Sequence, residues 1–301
     1  MRFTLPSIRK LKVLMDHPAT RQRPLRVLGR VAKWELLRSM NGYVSVPFDG
    51  DSEILVASSD GSGRLLYYFE DYEGHILEVL DRVLPACRLF VDVGANVGLL
   101  SLFVAKRLRG DGRVVAFEPN PDAARRFRYN LDGFEQVELR QRGVGARRER
   151  AAFLVGSNTA EGGIMKEPGG EASFEVEVDA LDDVFDETID FLKVDVEGHE
   201  LEVLEGAERL MASGRVRALV LETAYLPDRS AFLEILGRHG FRPFDIRGEG
   251  LVPIDTPEAI GHDTFAFGPT GDELMALALG QELPARASDR RARTPEAIVR
   301  E

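Results

Sequence analysis

A single cysteine, Cys87, stands among the 301 residues of this chain. One thiol can close no internal disulfide and cannot build a cysteine zinc site, so a reducing, cytoplasmic setting is the expected one. Long apolar runs are also missing. Leu99 to Ala105, and Arg217 to Leu221 with its flanks, fall far short of the roughly 18 residues a membrane span needs. No transmembrane segment is expected, and the first 20 residues carry neither an uninterrupted apolar stretch nor a small-residue cleavage pattern, so no signal peptide is read there. Most of the chain lacks positive charge as well. The net charge is -11, but residues 1–40 hold ten basic and two acidic side chains, a net of +8, which leaves -19 for the remainder. An acidic body excludes a general nucleic-acid binder, which needs a basic footprint to displace counterions. The basic arm could touch an acidic membrane, a nucleic acid or the protein's own acidic body, while a solvated and partly helical arm is the plainer reading.

What is present is enough to fold. With 44% hydrophobic residues the chain can bury a sizeable core. The arm reads as one or two helices broken by Pro18 and Pro24, with an apolar stripe of Val27, Val31, Trp34 and Leu37. Gly42 to Phe69 alternates around the turn signals Asp49-Gly50 and Asp60-Gly61-Ser62-Gly63, the pattern of short strands. Glu73 to Leu84 reads as an amphipathic helix stopped by Pro85. From Leu89 onward, strand, glycine turn and helix repeat. Strands are expected at 89–93, 113–117, 137–144, 189–194 and 216–221, and two more at 241–246 and 264–267. Helices are expected at 99–108, 121–131, 200–211 and 229–239. A strand pair at 151–155 and 173–178 flanks the Gly-rich Gly156 to Gly170. Alternating strands and helices predict an α/β fold, a mostly parallel sheet with helices on both faces. Three regions follow: a basic helical arm with short strands over 1–70, the α/β domain over 71–270, and a tail over 271–301 expected to be disordered.

Two stretches carry chemistry. Phe90-Val91-Asp92-Val93-Gly94-Ala95-Asn96-Val97-Gly98 sits at the carboxyl end of the first parallel strand, where open α/β sheets bind ligands. Gly94 allows a sharp turn and close approach to a ligand, Gly98 allows close packing of the helix start, and Asp92 places a charge suited to an ammonium group. Glu118, about 20 residues on at the end of the second strand, can accept hydrogen bonds from a ribose diol. A dinucleotide and an adenosyl cofactor both remain open on these features, although the glycines do not match G-x-G-x-x-G.

The second stretch is Phe191-Leu192-Lys193-Val194-Asp195-Val196-Glu197-Gly198-His199-Glu200, which closes the fourth parallel strand. Asp195 is expected beside Asp92 and Asn96, with Glu222 alongside at the end of the fifth strand. Two or three carboxylates with His199 could hold a hard divalent ion or take a proton from a hydroxyl. Mutual repulsion would raise the pKa of one of them, as suits a general base. Glu197 could instead cap the following helix, and Lys193 is expected to pair with a neighbouring acid. His17, His75, His239 and His262 show no metal spacing and read as structural. Cys87 has no base near it in sequence and reads as unreactive.

These two stretches, together with Val115-Ala116-Phe117-Glu118-Pro119-Asn120-Pro121, resemble the FkbM family of S-adenosylmethionine-dependent methyltransferases. Val178-Asp179-Ala180-Leu181-Asp182-Asp183 and Leu201-Glu202-Val203-Leu204-Glu205-Gly206-Ala207 are also similar to that family, and the likeness spans roughly Tyr72 to Phe267. The resemblance implies a Rossmann-like sheet of seven strands with the last antiparallel, and S-adenosylmethionine as methyl donor. It further implies that Asp92, Gly94 and Asn96 surround the methionine part, with Gly98 also in the cofactor-binding turn, that Glu118 holds the ribose, and that the turn at Val144 and Gly145 flanks the adenine. Val144 departs from the polar residue often found there. The implied reaction is O-methylation of a small-molecule, natural-product or sugar hydroxyl. Asp195, helped by Glu222 or His199, is expected to supply the base or a metal platform, because these groups converge at neighbouring strand ends. A nicotinamide oxidoreductase and a silent adenosyl-ligand-binding protein are the rival readings.

Overall fold

The computed structural model describes residues 18–40, 42–70, 74–154, 163–165, 173–247 and 250–281. Two helices, Pro18–Gln22 and Pro24–Ser39, open it, each with proline in its first turn where no amide partner is lost. Strands β1 (Tyr43–Phe48) and β2 (Ser52–Ala57) pair as an antiparallel hairpin around Asp49-Gly50. The next segment departs from the expected alternation, because Gly61–Phe69 is a helix. The Asp60-Gly-Ser-Gly turn signal is in fact a helix start: the Asp60 carboxylate accepts the amide of Gly63 at 3.2 Å. Gly63 lies against β2, where a Cβ would stand 2.7 Å from Val56.

After the helix Gly74–Val83 come β3 (Leu89–Val93), β4 (Arg113–Phe117) and β5 (Val137–Arg140). The expected strand 137–144 is split, since a tight turn with Arg142 N–H on the Arg140 carbonyl sends the chain out of the sheet. Its second half, β6 (Gly143–Val144), joins a smaller four-stranded sheet with β7 (Glu149–Leu154), β8 (Gly163–Met165) and β9 (Ser173–Asp179), in the order β6-β9-β7-β8. β7 and β9 form the strand pair that the sequence predicts, and they run antiparallel. Apart from β8, the intervening Gly156–Gly170 segment lies outside the described residues.

β10 (Ile189–Val194), β11 (Val216–Glu222), β12 (Arg242–Arg247), β13 (Gly250–Pro253) and β14 (Asp263–Phe267) complete an eight-stranded sheet of order β13-β12-β14-β11-β10-β3-β4-β5. β11 through β5 are mutually parallel and β14 runs antiparallel to β11. The seven expected strands are therefore present, the last of them antiparallel. β13 adds an eighth at the edge.

The side-chain period of two divides each strand between two cores. Phe90, Ala116, Phe191, Val220 and Phe265 face one side, while Val91, Phe117, Leu192, Leu219 and Leu221 face the other. Helices Leu99–Ala105 and Pro121–Asn130 cover the first face. Helices Glu200–Glu205, Glu208–Ala212 and Arg229–Arg238 cover the second. Coverage on both sides explains why every residue of β3 and β10 is buried. The helix expected over 200–211 breaks in two at Gly206, whose backbone meets the Gly145 carbonyl so closely that a Cβ would stand 2.0 Å from it.

Trp34, Ile54 and Leu66 share the first core with Leu100 and Phe103, so the amino-terminal region packs onto the sheet domain. Arg126 and Asp60 form a buried ion pair there, 3.4 Å apart and 3% and 1% exposed. The segment after Gly271 begins with a helix, Asp272–Ala278, whose Leu274 and Ala278 are buried. Residues 282–301 lie outside the described residues, as do residues 1–17.

Candidate active site

Strand register decides which loop ends meet. Val93 pairs with both Phe117 of β4 and Val194 of β10, and Val194 pairs with Leu221 of β11. The residues that follow, Gly94, Glu118, Asp195 and Glu222, therefore emerge side by side at the carboxyl edge, as open α/β sheets dictate for ligand sites.

Gly94 has φ of 78° and Gly98 of 89°, both in the left-handed region that a side chain resists. What crowds Gly94 is the protein itself, because a Cβ would lie 1.8 Å from the Asp195 carbonyl oxygen. Clearing the neighbouring strand is thus one need that Gly94 meets. Gly98 opens the helix Leu99–Ala105 and a Cβ there would meet Leu131 at 2.3 Å, the close packing that the sequence implies. Asp92 is fully buried and already has an ammonium: Lys193 Nζ is 3.5 Å from its Oδ1, and Ser101 Oγ donates to its Oδ2 at 2.6 Å. Lys193 also donates to the Gly94 carbonyl at 3.0 Å and lies 3.3 Å from Asp195, tying the two acidic loops together.

Glu118 is 6% exposed, and its two carboxylate oxygens accept the amides of Asn96 at 2.8 Å and Asn120 at 2.7 Å. Burial pushes its carboxyl up to about 7, against the pull of those two amides. Asn96 sits at φ 48°, and its buried side-chain oxygen has no hydrogen-bond partner in the protein. A buried acceptor of this kind costs about 1–3 kcal/mol unless something pairs with it. Val144 is buried in the second core, with Gly145 held by its amide on the Asp179 carbonyl at 3.0 Å.

On the other side of the edge the carboxylates face one another. Asp195, Glu197 and Glu222 each place an oxygen within 4.8 Å of the others, a spacing that a divalent ion or a shared proton could bridge. Glu222 is held well above the usual carboxylate range, by burial first, then by the charge of Asp195 and a hydrogen bond with it, and further by Glu197 and Asp263. Asp263 is its direct partner across the antiparallel β11–β14 pair. Glu200, fully buried, accepts the amides of Val196 and Gly198. Positive φ at both Glu197 and Gly198 turns the chain sharply between Asp195 and His199. That turn carries His199 elsewhere. Its Nδ1 lies 3.6 Å from Glu202, and its Nε2 packs against Gly145, 3.4 Å from where a Cβ would stand. His199 is thus not part of the carboxylate triad that the sequence predicts it to join.

Another histidine takes the adjacent position. His262 Nε2 is 3.5 Å from Glu222, its Nδ1 is 3.1 Å from Asp263, and His75 Nε2 reaches the same Asp263 oxygen at 3.1 Å. Both histidines read as structural from the sequence, because the histidines are scattered and show no metal spacing. Their only signal is Asp263 itself, an acid that opens a strand whose five residues are all buried. Cys87 donates to the Val83 carbonyl, and burial pushes its thiol up to about 12, which makes it inert.

The methyltransferase FkbM domain matches residues 92–243, about half of the chain. Methyltransferase sdnD of Sordaria araneosa is 30% identical over 197 residues, which are 52% of this chain and 73% of that protein. AMB antimetabolite synthetase AmbE of Pseudomonas aeruginosa is 30% identical over 218 residues, 56% of this chain but only 10% of that longer protein. Among solved structures, methyltransferase FkbM from Methylobacillus flagellatus superposes on 60% of this chain and 43% of its own, with 18% identity and a TM-score of 0.40. The chain therefore spans a tenth of one of these relatives and under half of that structure. With three ordered motifs and a domain match that runs from Asp92 through the carboxylate edge to β12, this chain belongs to the FkbM methyltransferase family.

Proposed function

We propose that the protein is an S-adenosylmethionine-dependent methyltransferase that acts on a hydroxyl group of a small molecule, such as a natural product or a sugar. The observation that carries this reading is the pairing of unlike acid sites at one sheet edge: Glu118 bonded by backbone amides, and a hydrogen-bonded Asp195–Glu222 pair two strands away. The residues present fit an adenosyl ligand. The Asn96 oxygen is buried without a partner, and each Glu118 oxygen keeps a lone pair beyond the amide it accepts.

In this reading Glu118 holds the ribose hydroxyls, while Asn96 and the loop 94–98 line the methionine end. Val144 and Gly145 close the adenine end, with the backbone as their only polar contribution. The sulfonium supplies an activated methyl group, so the chemistry asks the protein mainly for alignment. An alcohol acceptor is far less acidic than water's neutral point requires, and a base must take its proton. Asp195 is the group that does so, with Glu222 sharing the proton through their hydrogen bond. His262, oriented by Asp263 and open to solvent, stands next in line to carry the proton away. Glu197 completes a triad that could instead hold a divalent cation, an alternative that a chelator would expose as loss of turnover.

A relative named as an antimetabolite synthetase accords with a small-molecule acceptor, and the acidic body disfavours a nucleic-acid one. Calorimetric titration with S-adenosylmethionine, S-adenosylhomocysteine and NAD tests the donor half. Binding of both adenosyl ligands, none of NAD, and at least tenfold weaker binding by Glu118→Ala is the expected result. Binding of NAD alone would sink the reading. Adenosyl binding without turnover across a broad panel of hydroxyl acceptors would favour a silent binding protein.

A further inference from the structure

The helix Pro24–Ser39 is apolar on two opposite sides. Val27 and Trp34, 3% and 0% exposed, face the core. Leu25, Leu28, Ala32 and Leu36, with Met40 just past the helix end, recur at spacings of three and four residues, and all five are exposed. At about 100° per residue they form one stripe on the side opposite Trp34. Leu25 is 85% and Met40 71% exposed. Scattered exposed leucines need no explanation, but a continuous stripe along more than three turns of helix does. Arg26 and Lys33 run along one edge of the stripe, and the helix as a whole carries four basic residues against Glu35.

We propose that this stripe seats the protein on an anionic lipid surface, with Leu25, Leu28, Leu36 and Met40 in the headgroup–acyl boundary and Lys33 against lipid phosphates. Charge distribution selects this occupant. Residues 1–40 carry +8 while the rest of the chain carries -19, so an anionic bilayer attracts the arm and repels everything else, which fixes the orientation of approach. A second copy of the same helix would bring the Lys33-bearing edges together, while Arg26 is already paired with Glu70 at 2.7 Å. A nucleic acid would leave the apolar stripe in water. The inference stands on the arm alone and does not depend on which reaction the sheet edge performs.

Sedimentation of the full-length protein with vesicles of phosphatidylcholine, with and without phosphatidylglycerol, tests it. Partition onto the mixed vesicles only, weakened by added salt, is expected. The double change Leu28→Glu with Leu36→Glu should lower partition by at least tenfold, and Lys33→Glu by roughly fivefold or more. Both positions already lie in water, so an unchanged thermal midpoint shows that the variant is folded. Failure to partition onto mixed vesicles, or equal partition onto both vesicle types, would overturn the proposal. So would a concentration-dependent dimer of the unaltered protein that the double change abolishes, since the stripe would then belong to a second copy.

Discussion

Glu118 and Glu222 are both acids that close buried apolar strands, and both are raised by burial, yet their surroundings differ. Glu118 carries a backbone amide on each oxygen, with the charge of Asp92 a minor influence behind burial. Glu222 faces Asp195, Glu197 and Asp263 and shares a hydrogen bond with the first of them. Amides favour the charged form and hold it still; neighbouring acids disfavour it and make a proton welcome. One edge of the sheet thus provides a site that presents a fixed acceptor and, two strands away, a site that can take up a proton. The fold makes both with the same side-chain chemistry, and only the donors around each carboxylate tell them apart.

The largest effect on this contrast should come from neutralising the second site. Asp195→Asn or Glu222→Gln is expected to slow methyl transfer by roughly 10²–10⁴-fold and to leave adenosyl-ligand affinity within a few-fold, as turnover and calorimetry would report together. Glu222→Gln should also make the protein more stable, by about 1–2 kcal/mol near neutral pH. The sign follows from its raised carboxyl, whose proton the folded state keeps and the unfolded state releases, so stability drains away as pH rises until the group is replaced. A variant that lost both activity and ligand binding would show that the two sites are not separable.

Next in size is the seam between them. Gly94→Ala puts a methyl group on the Asp195 carbonyl at a φ of 78°, and should cost about 3 kcal/mol or more in denaturant unfolding. A cost below about 1 kcal/mol would mean that the two loops are not locked together.

The smallest test is pH. Glu118 rises from an ordinary 4.5 to about 7, with burial as the main cause. Its proton helps the folded state most below 4.5, and that help is lost as pH climbs through about 7. A ligand whose hydroxyls donate to Glu118 prefers the ionised form, so its affinity should weaken by up to about tenfold for each pH unit below about 7. Affinity flat across that range in calorimetry would remove Glu118 from the ligand site. Glu118→Gln should flatten the profile as well as weaken binding.

Much of this was legible along the chain. Apolar runs such as Leu89-Phe90-Val91 announced buried strands, and glycines with Asp92, Glu118 and Asp195 at strand ends announced the edge, because each signal is local. Less legible were the places where distant segments override a local pattern. Asp60-Gly-Ser-Gly reads as a turn between strands, but capping by Asp60 and the fit of Gly63 onto Val56 make it a helix start. The pattern over Val137 to Val144 is continuous, yet Arg142 bends it so that its end can pair with β9. His199, next to the acids in sequence, is turned away by the left-handed pair Glu197-Gly198.

The sequence by itself determined the α/β architecture, the parallel strand set and the acids at its edge, since hydrophobic periodicity and glycine turns act over a few residues. Tertiary structure decided which acids face one another and which histidines stand beside them. His262 and Asp263 stand beside Glu222 because β14 pairs antiparallel with β11, and His75, from the helix Gly74–Val83, reaches Asp263. Register between remote strands fixes those distances, and register is a property of the assembled sheet rather than of any one segment.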